Sequence, residues 1–130
     1  MSDKAADDNS PLNGLRVLVV EDEFLIALDI DRILESVGVQ QVLTAGRIDE
    51  ALRILSDDQP INAAVLDLKL DKDSTLPVAE KLQALGIPFV FLTGSPEAAQ
   101  TRGFPRAPVV AKPFDSAMLI AGLSLALMRR

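Results

Sequence analysis

The chain has 130 residues, enough for one packed domain with a real core and too few for two. A quarter of the residues are charged and the net charge is −6, which argues against nucleic acid as a partner, because phosphate repels an acidic surface and counterion release needs Lys/Arg clusters. There is no Cys and no His, which excludes disulfides, thiolate zinc sites, a Cys nucleophile and any His-based acid–base step supplied by this chain.

Met1 to Asn13 is polar and lacks the apolar core of a signal peptide, and no apolar run approaches the length that spans a bilayer. The expected location is therefore the cytoplasm, with no membrane partner. Residues 1–13 read as a flexible leader and residues 14–130 as the domain.

From Gly14 onward strands and helices alternate. Leu15–Val20 is continuously apolar and β-branched, as in a strand buried on both faces. Glu23–Val37 follows as a helix with Ile26, Ile30, Ile33, Leu34 and Val37 on one face, and Gly38 stands where a helix-ending glycine belongs. Gln41–Ala45 is a second strand and Arg47–Leu55 a second helix, striped by Ile48, Leu52 and Leu55. Ile61–Leu66 is a third strand ending at Asp67, and Leu76–Leu85 a helix closed by Gly86. Phe89–Leu92 is a strand ending at Thr93, Val109–Ala111 a strand ending at Lys112, and Ser116–Met128 the last helix. Such alternation calls for a parallel sheet with helices on both faces. The stretch Gly94–Pro108 is the exception. Ser95 and Pro96 could cap and start a helix there, but Gly103, Pro105 and Pro108 interrupt it, so a full-length helix is not expected.

In open α/β sheets ligands bind beyond the carboxyl ends of the strands. Glu21, Asp22 and Glu23 follow the first strand, Asp67 the third, Thr93 the fourth and Lys112 the fifth. Adjacent parallel strands lie about 4.8 Å apart, so these side chains can converge on one small volume. Carboxylates brought that close repel unless a cation joins them, and oxygen-only ligation suits a hard ion such as Mg²⁺. Each residue also has a plainer reading. Asp22 could cap the first helix, Thr93 before Gly94 could be a turn residue, and Lys112 could be a solvated lysine. Each is reasonable alone; together they require four of five strand ends to carry suitable polar residues by coincidence.

The segments VLVVEDE, AAVLDLKL, FVFLTGS and VVAKPF, in that order, resemble the receiver domain of two-component response regulators over Leu15 to the C-terminus. More narrowly, PFVFLTGS followed by FPRAPVVAKPF resembles the FATGUY subgroup of stand-alone receivers, from whose consensus Leu92 and Ser95 depart. The resemblance implies a flavodoxin-like five-stranded parallel sheet of order 2-1-3-4-5. It makes Asp67 the phosphoacceptor, Asp22 a direct Mg²⁺ ligand, Glu21 a ligand through water, and the Lys69 backbone carbonyl a further ligand. It has Lys112 pair with one phosphoryl oxygen and the Thr93 hydroxyl with another. Lys112–Pro113 would be cis. The phosphodonor would be a histidine kinase or histidine phosphotransfer protein, and the chain itself a signalling component, not an enzyme.

Two departures bear on mechanism. Glu21 stands where Asp is commoner, and Val109 where many receivers carry an aromatic switch that Phe91 or Phe104 would have to replace. Three other readings remain. A haloacid-dehalogenase-type hydrolase needs an acid two residues after the nucleophile, where Lys69 stands. A flavin binder needs a Gly/Ser/Thr phosphate loop where Glu21–Glu23 stands. A degenerate receiver acting only as a binding module is disfavoured by the intact Asp22, Asp67, Thr93 and Lys112.

No output segment is expected beyond the last helix, so the signal is expected to leave by protein contact, or the domain to act as a phosphate relay or sink. Met118, Ala121, Leu125 and Met128 form a second apolar stripe on that helix, and Leu25 and Leu28 lie off the inner face of the first. In receivers these two helices are neighbours, so the stripes are expected to form a docking face for a phosphodonor or a second copy.

Overall fold

The computed structural model describes residues 10–129. In chain order the elements are β1 (Arg16–Val20), α1 (Phe24–Ser36), β2 (Gln41–Ala45), α2 (Ile48–Leu55), β3 (Ala63–Asp67), β4 (Lys69–Leu70), β5 (Asp73–Ser74), α3 (Leu76–Leu85), β6 (Phe89–Thr93), β7 (Val109–Ala111) and α4 (Ser116–Arg129). Five strands form one parallel sheet in the order β2-β1-β3-β6-β7. Counting only those strands this is the expected 2-1-3-4-5, with the order reversing between β1 and β3.

Alternation along each buried strand divides the core into two layers. Val17, Val19, Val65, Val90, Leu92 and Val110 face α1 and α4, meeting Ile30, Ile33, Leu34, Leu119 and Leu123. Leu18, Val20, Leu66, Phe89 and Phe91 face the other way, onto Ala51, Val78, Ala79 and Leu82 of α2 and α3. At about 25 cal/mol per Å² of apolar surface removed from water, these two layers supply the main favourable free energy of folding.

The structure departs from the sequence reading in three places. Leu12, expected in the flexible leader, is fully buried among the side chains over α1 and α4, so packing begins upstream of Gly14. A turn over Ser10–Asn13 delivers it, held by Asn13 N–H to the Ser10 carbonyl at 3.1 Å and Leu12 N–H to Ser10 Oγ at 3.1 Å. Residues 1–9 of that leader lie outside the described residues. Between β3 and α3 the chain forms an antiparallel hairpin, β4–β5, with Asp71 at φ +50° in its tip. After β6, Ser95 and Pro96 start no helix. They enter a turn closed by Ala98 N–H to the Ser95 carbonyl at 2.9 Å, and only a 3₁₀ turn, Ala99–Gly103, follows before β7. The expectation that Gly94–Pro108 lacks a full helix holds. Lys112–Pro113 is cis.

Gly38 ends α1 at φ +87°, and its carbonyl accepts the Gly14 N–H at 2.8 Å. A side chain here is strained by the backbone and collides with Asn13 Oδ1. Gly38→Ala is expected to cost about 1–2 kcal/mol. Gly103→Ala, where a Cβ meets nothing within 4 Å, serves as the control. Urea unfolding of both variants checks this; equal stabilities would contradict it.

Candidate phosphoacceptor site

The sheet ladder runs one residue beyond its strands, and this fixes the site. Glu21 N–H bonds the Ala45 carbonyl at the end of β2 at 2.9 Å, and the pairing of Val20 with Leu66 sets Glu21 beside Asp67 at the end of β3. Leu68 N–H bonds the Leu92 carbonyl at 2.9 Å, and Lys112 N–H bonds the Thr93 carbonyl at 2.9 Å. Main-chain bonds therefore hold Glu21, Asp67, Thr93 and Lys112 in neighbouring positions before any side-chain contact is counted.

The side chains then meet. Lys112 Nζ lies 3.0 Å from Asp67 Oδ2 and 3.8 Å from Glu21 Oε1. The first is a charge-assisted hydrogen bond; the second is an ion pair too long to be one. Lys69 N–H points at Asp67 Oδ1 from 3.3 Å, and Glu23 N–H donates to Glu21 Oε2 at 3.1 Å. Carboxylate oxygens of Glu21, Asp22 and Asp67 lie within 4.8 Å of one another. Glu21 and Asp67 are buried and Asp22 is exposed. α1 has no side-chain cap, so Asp22 is not spent as its N-cap. Thr93 is buried, its Oγ1 accepting the Ser95 N–H at 3.0 Å.

The electrostatics follow from burial. Desolvation pushes the Glu21 carboxyl from its ordinary 4.5 up to about 7, with the nearby Asp67 charge adding to the rise and the Glu23 N–H opposing it. Burial alone pulls Lys112 down, but its hydrogen bond and ion pair to Asp67 outweigh that and leave it raised, hence charged. Glu21 Oε1 is buried with no hydrogen-bond partner.

Strand order and site geometry together define an acidic cleft at the sheet's reversal point. A family model for the response regulator receiver domain matches residues 17–124. The chain belongs to that family. It is a two-component signalling module, not an enzyme. This receiver is 32% identical over 128 residues to the phyllosphere-induced regulator PhyR of Methylorubrum extorquens, an alignment covering 96% of the chain and 48% of that protein. It thus spans about half the length of that curated relative. Among solved structures, SdrG of Sphingomonas melonis is 36% identical with a TM-score of 0.75, over 88% of this chain and 97% of SdrG. The anti-anti-sigma factor PhyR of Bartonella quintana is 35% identical with a TM-score of 0.76, over 96% of this chain and 52% of that one.

Every site residue expected from the sequence lies in or beside the cleft. Sequence reasoning passed over Thr75, which is fully buried behind Asp67. Its only signal is a Ser-Thr pair ahead of a helix, which reads as an ordinary cap.

Proposed function

We propose that this receiver takes a phosphoryl group onto Asp67 from a histidine kinase or histidine phosphotransfer protein, with Mg²⁺ held beside it. The observation that carries this is Asp67 itself, a buried carboxylate at the reversal point with Lys112 at 3.0 Å. The donor set fits a hard divalent cation: it is all oxygen, and a buried Glu21 oxygen has no hydrogen-bond partner. Asp22, Asp67 and the Lys69 carbonyl would ligate the ion directly and Glu21 through water. When bound, Mg²⁺ supplies positive charge against the equatorial oxygens of the transferring group.

The chain's own residues do the rest. A carboxylate oxygen of Asp67 forms the new O–P bond as the P–N bond of the donor phosphohistidine breaks. Lys112 holds positive charge beside that oxygen, and Thr93, once its hydroxyl turns inward, donates to a phosphoryl oxygen. The test is phosphorylation by acetyl phosphate with Mg²⁺, read by mass spectrometry. One added phosphoryl group, absent in Asp67→Asn, is expected. A folded wild type that stays unmodified would make the domain a phosphorylation-independent binding module instead.

Output is proposed to run through protein contact, or as phosphate relay or sink, in the cytoplasm. Similarity to a relative named as an anti-anti-sigma factor supports a protein target, as does the −6 charge. The docking face proposed is the shared surface of α1 and α4, where Leu25 and Met128 are 76% and 82% exposed and Leu125 stands at its edge with 37%. Phe24, at 75%, extends this apolar surface toward the site. Its partner would be the phosphodonor protein or a second copy of the chain. Leu125→Glu is expected to leave phosphorylation by acetyl phosphate intact while weakening kinase-driven transfer or self-association about tenfold. If both protein contacts persist unchanged, this face is not the docking surface.

A further inference from the structure

Thr75 precedes the first residue of α3, where a Thr ordinarily accepts hydrogen bonds from the helix's free N–H groups. It does not do so here: α3 has no cap from Thr75, and Leu76 N–H goes to Ser74 Oγ at 3.1 Å instead. The Thr75 hydroxyl turns back to the strand. Its Oγ1 lies 2.8 Å from the carbonyl oxygen of Asp67 and 3.0 Å from that of Leu68, so one proton is shared between the two. Thr75 N–H adds a bond to the Leu68 carbonyl at 3.1 Å, while its own carbonyl takes the Val78 and Ala79 N–H groups at 2.9 and 3.0 Å. The residue is fully buried, so no water competes for these contacts.

We propose that Thr75 is a positioning residue, its hydroxyl clamping the two peptides that carry Asp67 and lead into Lys69. This rests on the phosphoacceptor reading of Asp67. The clamp acts opposite the Leu68–Leu92 ladder bond, so the strand end is gripped from β6 on one side and from α3 on the other. Fixing those peptides sets where the Asp67 carboxylate emerges and where the Lys69 main chain passes. Phosphoryl transfer depends mostly on such positioning, and errors of about an ångström are costly.

The experiment compares the wild type, Thr75→Ser and Thr75→Val in two readouts. One is the rate of phosphorylation by acetyl phosphate at saturating Mg²⁺; the other is amide exchange of Leu68 without metal. Thr75→Ser keeps the donor and should stay within about threefold of wild type, whereas the near-isosteric Thr75→Val should slow phosphorylation and speed Leu68 exchange about tenfold. If Val matches wild type, or if Ser falls as far as Val, the hydroxyl has no positioning role. Should Thr75→Val fail to fold, Thr75→Cys gives the same comparison with a weak donor. A wild type unmodified at Asp67 would overturn the phosphoacceptor reading itself, and the exchange data would still decide whether the hydroxyl holds the strand end.

Discussion

Replacing Lys112 with Met should slow phosphorylation of Asp67 at least about a hundredfold at saturating Mg²⁺, the usual loss when a preorganised charge donor is removed. Among the described residues Lys112 is the cation in ion-pair contact with both Asp67 and Glu21. Its side chain is only 25% exposed, so water replaces that charge poorly. The backbone bond from Lys112 N–H to Thr93 does not depend on the side chain, so the substitution should leave β7 in place. Lys112→Arg keeps the charge but replaces a compact ammonium with a planar fork, and should recover the rate only in part. Rates for Lys112→Met within a few-fold of wild type would remove Lys112 from the transfer step.

The metal-free protein should lose stability as the pH rises from about 4.5 to about 7. Burial raises the Glu21 carboxyl from 4.5 to about 7 in the folded state. Below 4.5 the group is protonated in both folded and unfolded chains and changes nothing. Above 4.5 the unfolded chain releases the proton while the folded one retains it, so folding becomes progressively less favourable. The loss is complete above the folded value and amounts to about 3 kcal/mol. Mg²⁺ meets the ionised form, so it should stabilise the protein far more at pH 8 than at pH 5. Urea unfolding across this range checks both statements. The difference between wild type and Glu21→Gln isolates the contribution; a flat difference profile would contradict it.

The sheet and its site were legible for one reason: the strands are buried on both faces, so their apolar runs stop abruptly where the functional side chains begin. Leu66 to Asp67 and Ala111 to Lys112 are such steps, and they coincide with the ends of β3 and β7. The hairpin β4–β5 left no such mark. Two-residue strands carry no period, and Asp71-Lys72 at its tip is not a turn pair that announces itself. Leu12 was hidden by its polar neighbours, since a single apolar residue cannot declare its burial from sequence. Thr75 was illegible because residue type specifies a hydroxyl but not its direction. Near Val109 the structure packs Phe104 against Phe89 and Phe91 of β6, with ring centroids 5.9 and 5.7 Å apart.

The hydrogen bond from Ser95 N–H to Thr93 Oγ1 ties the first residues of the exposed 94–103 segment to the hydroxyl proposed to meet the phosphoryl group. One oxygen then answers to two masters. Whatever turns it inward loosens the segment, and whatever grips the segment in a different shape biases the hydroxyl by the same free energy, because such coupling is reciprocal. A target protein that seized this loop would therefore set how long the acyl phosphate survives, as well as reading it. The duration of the signal would then be a property of the receiver together with its listener.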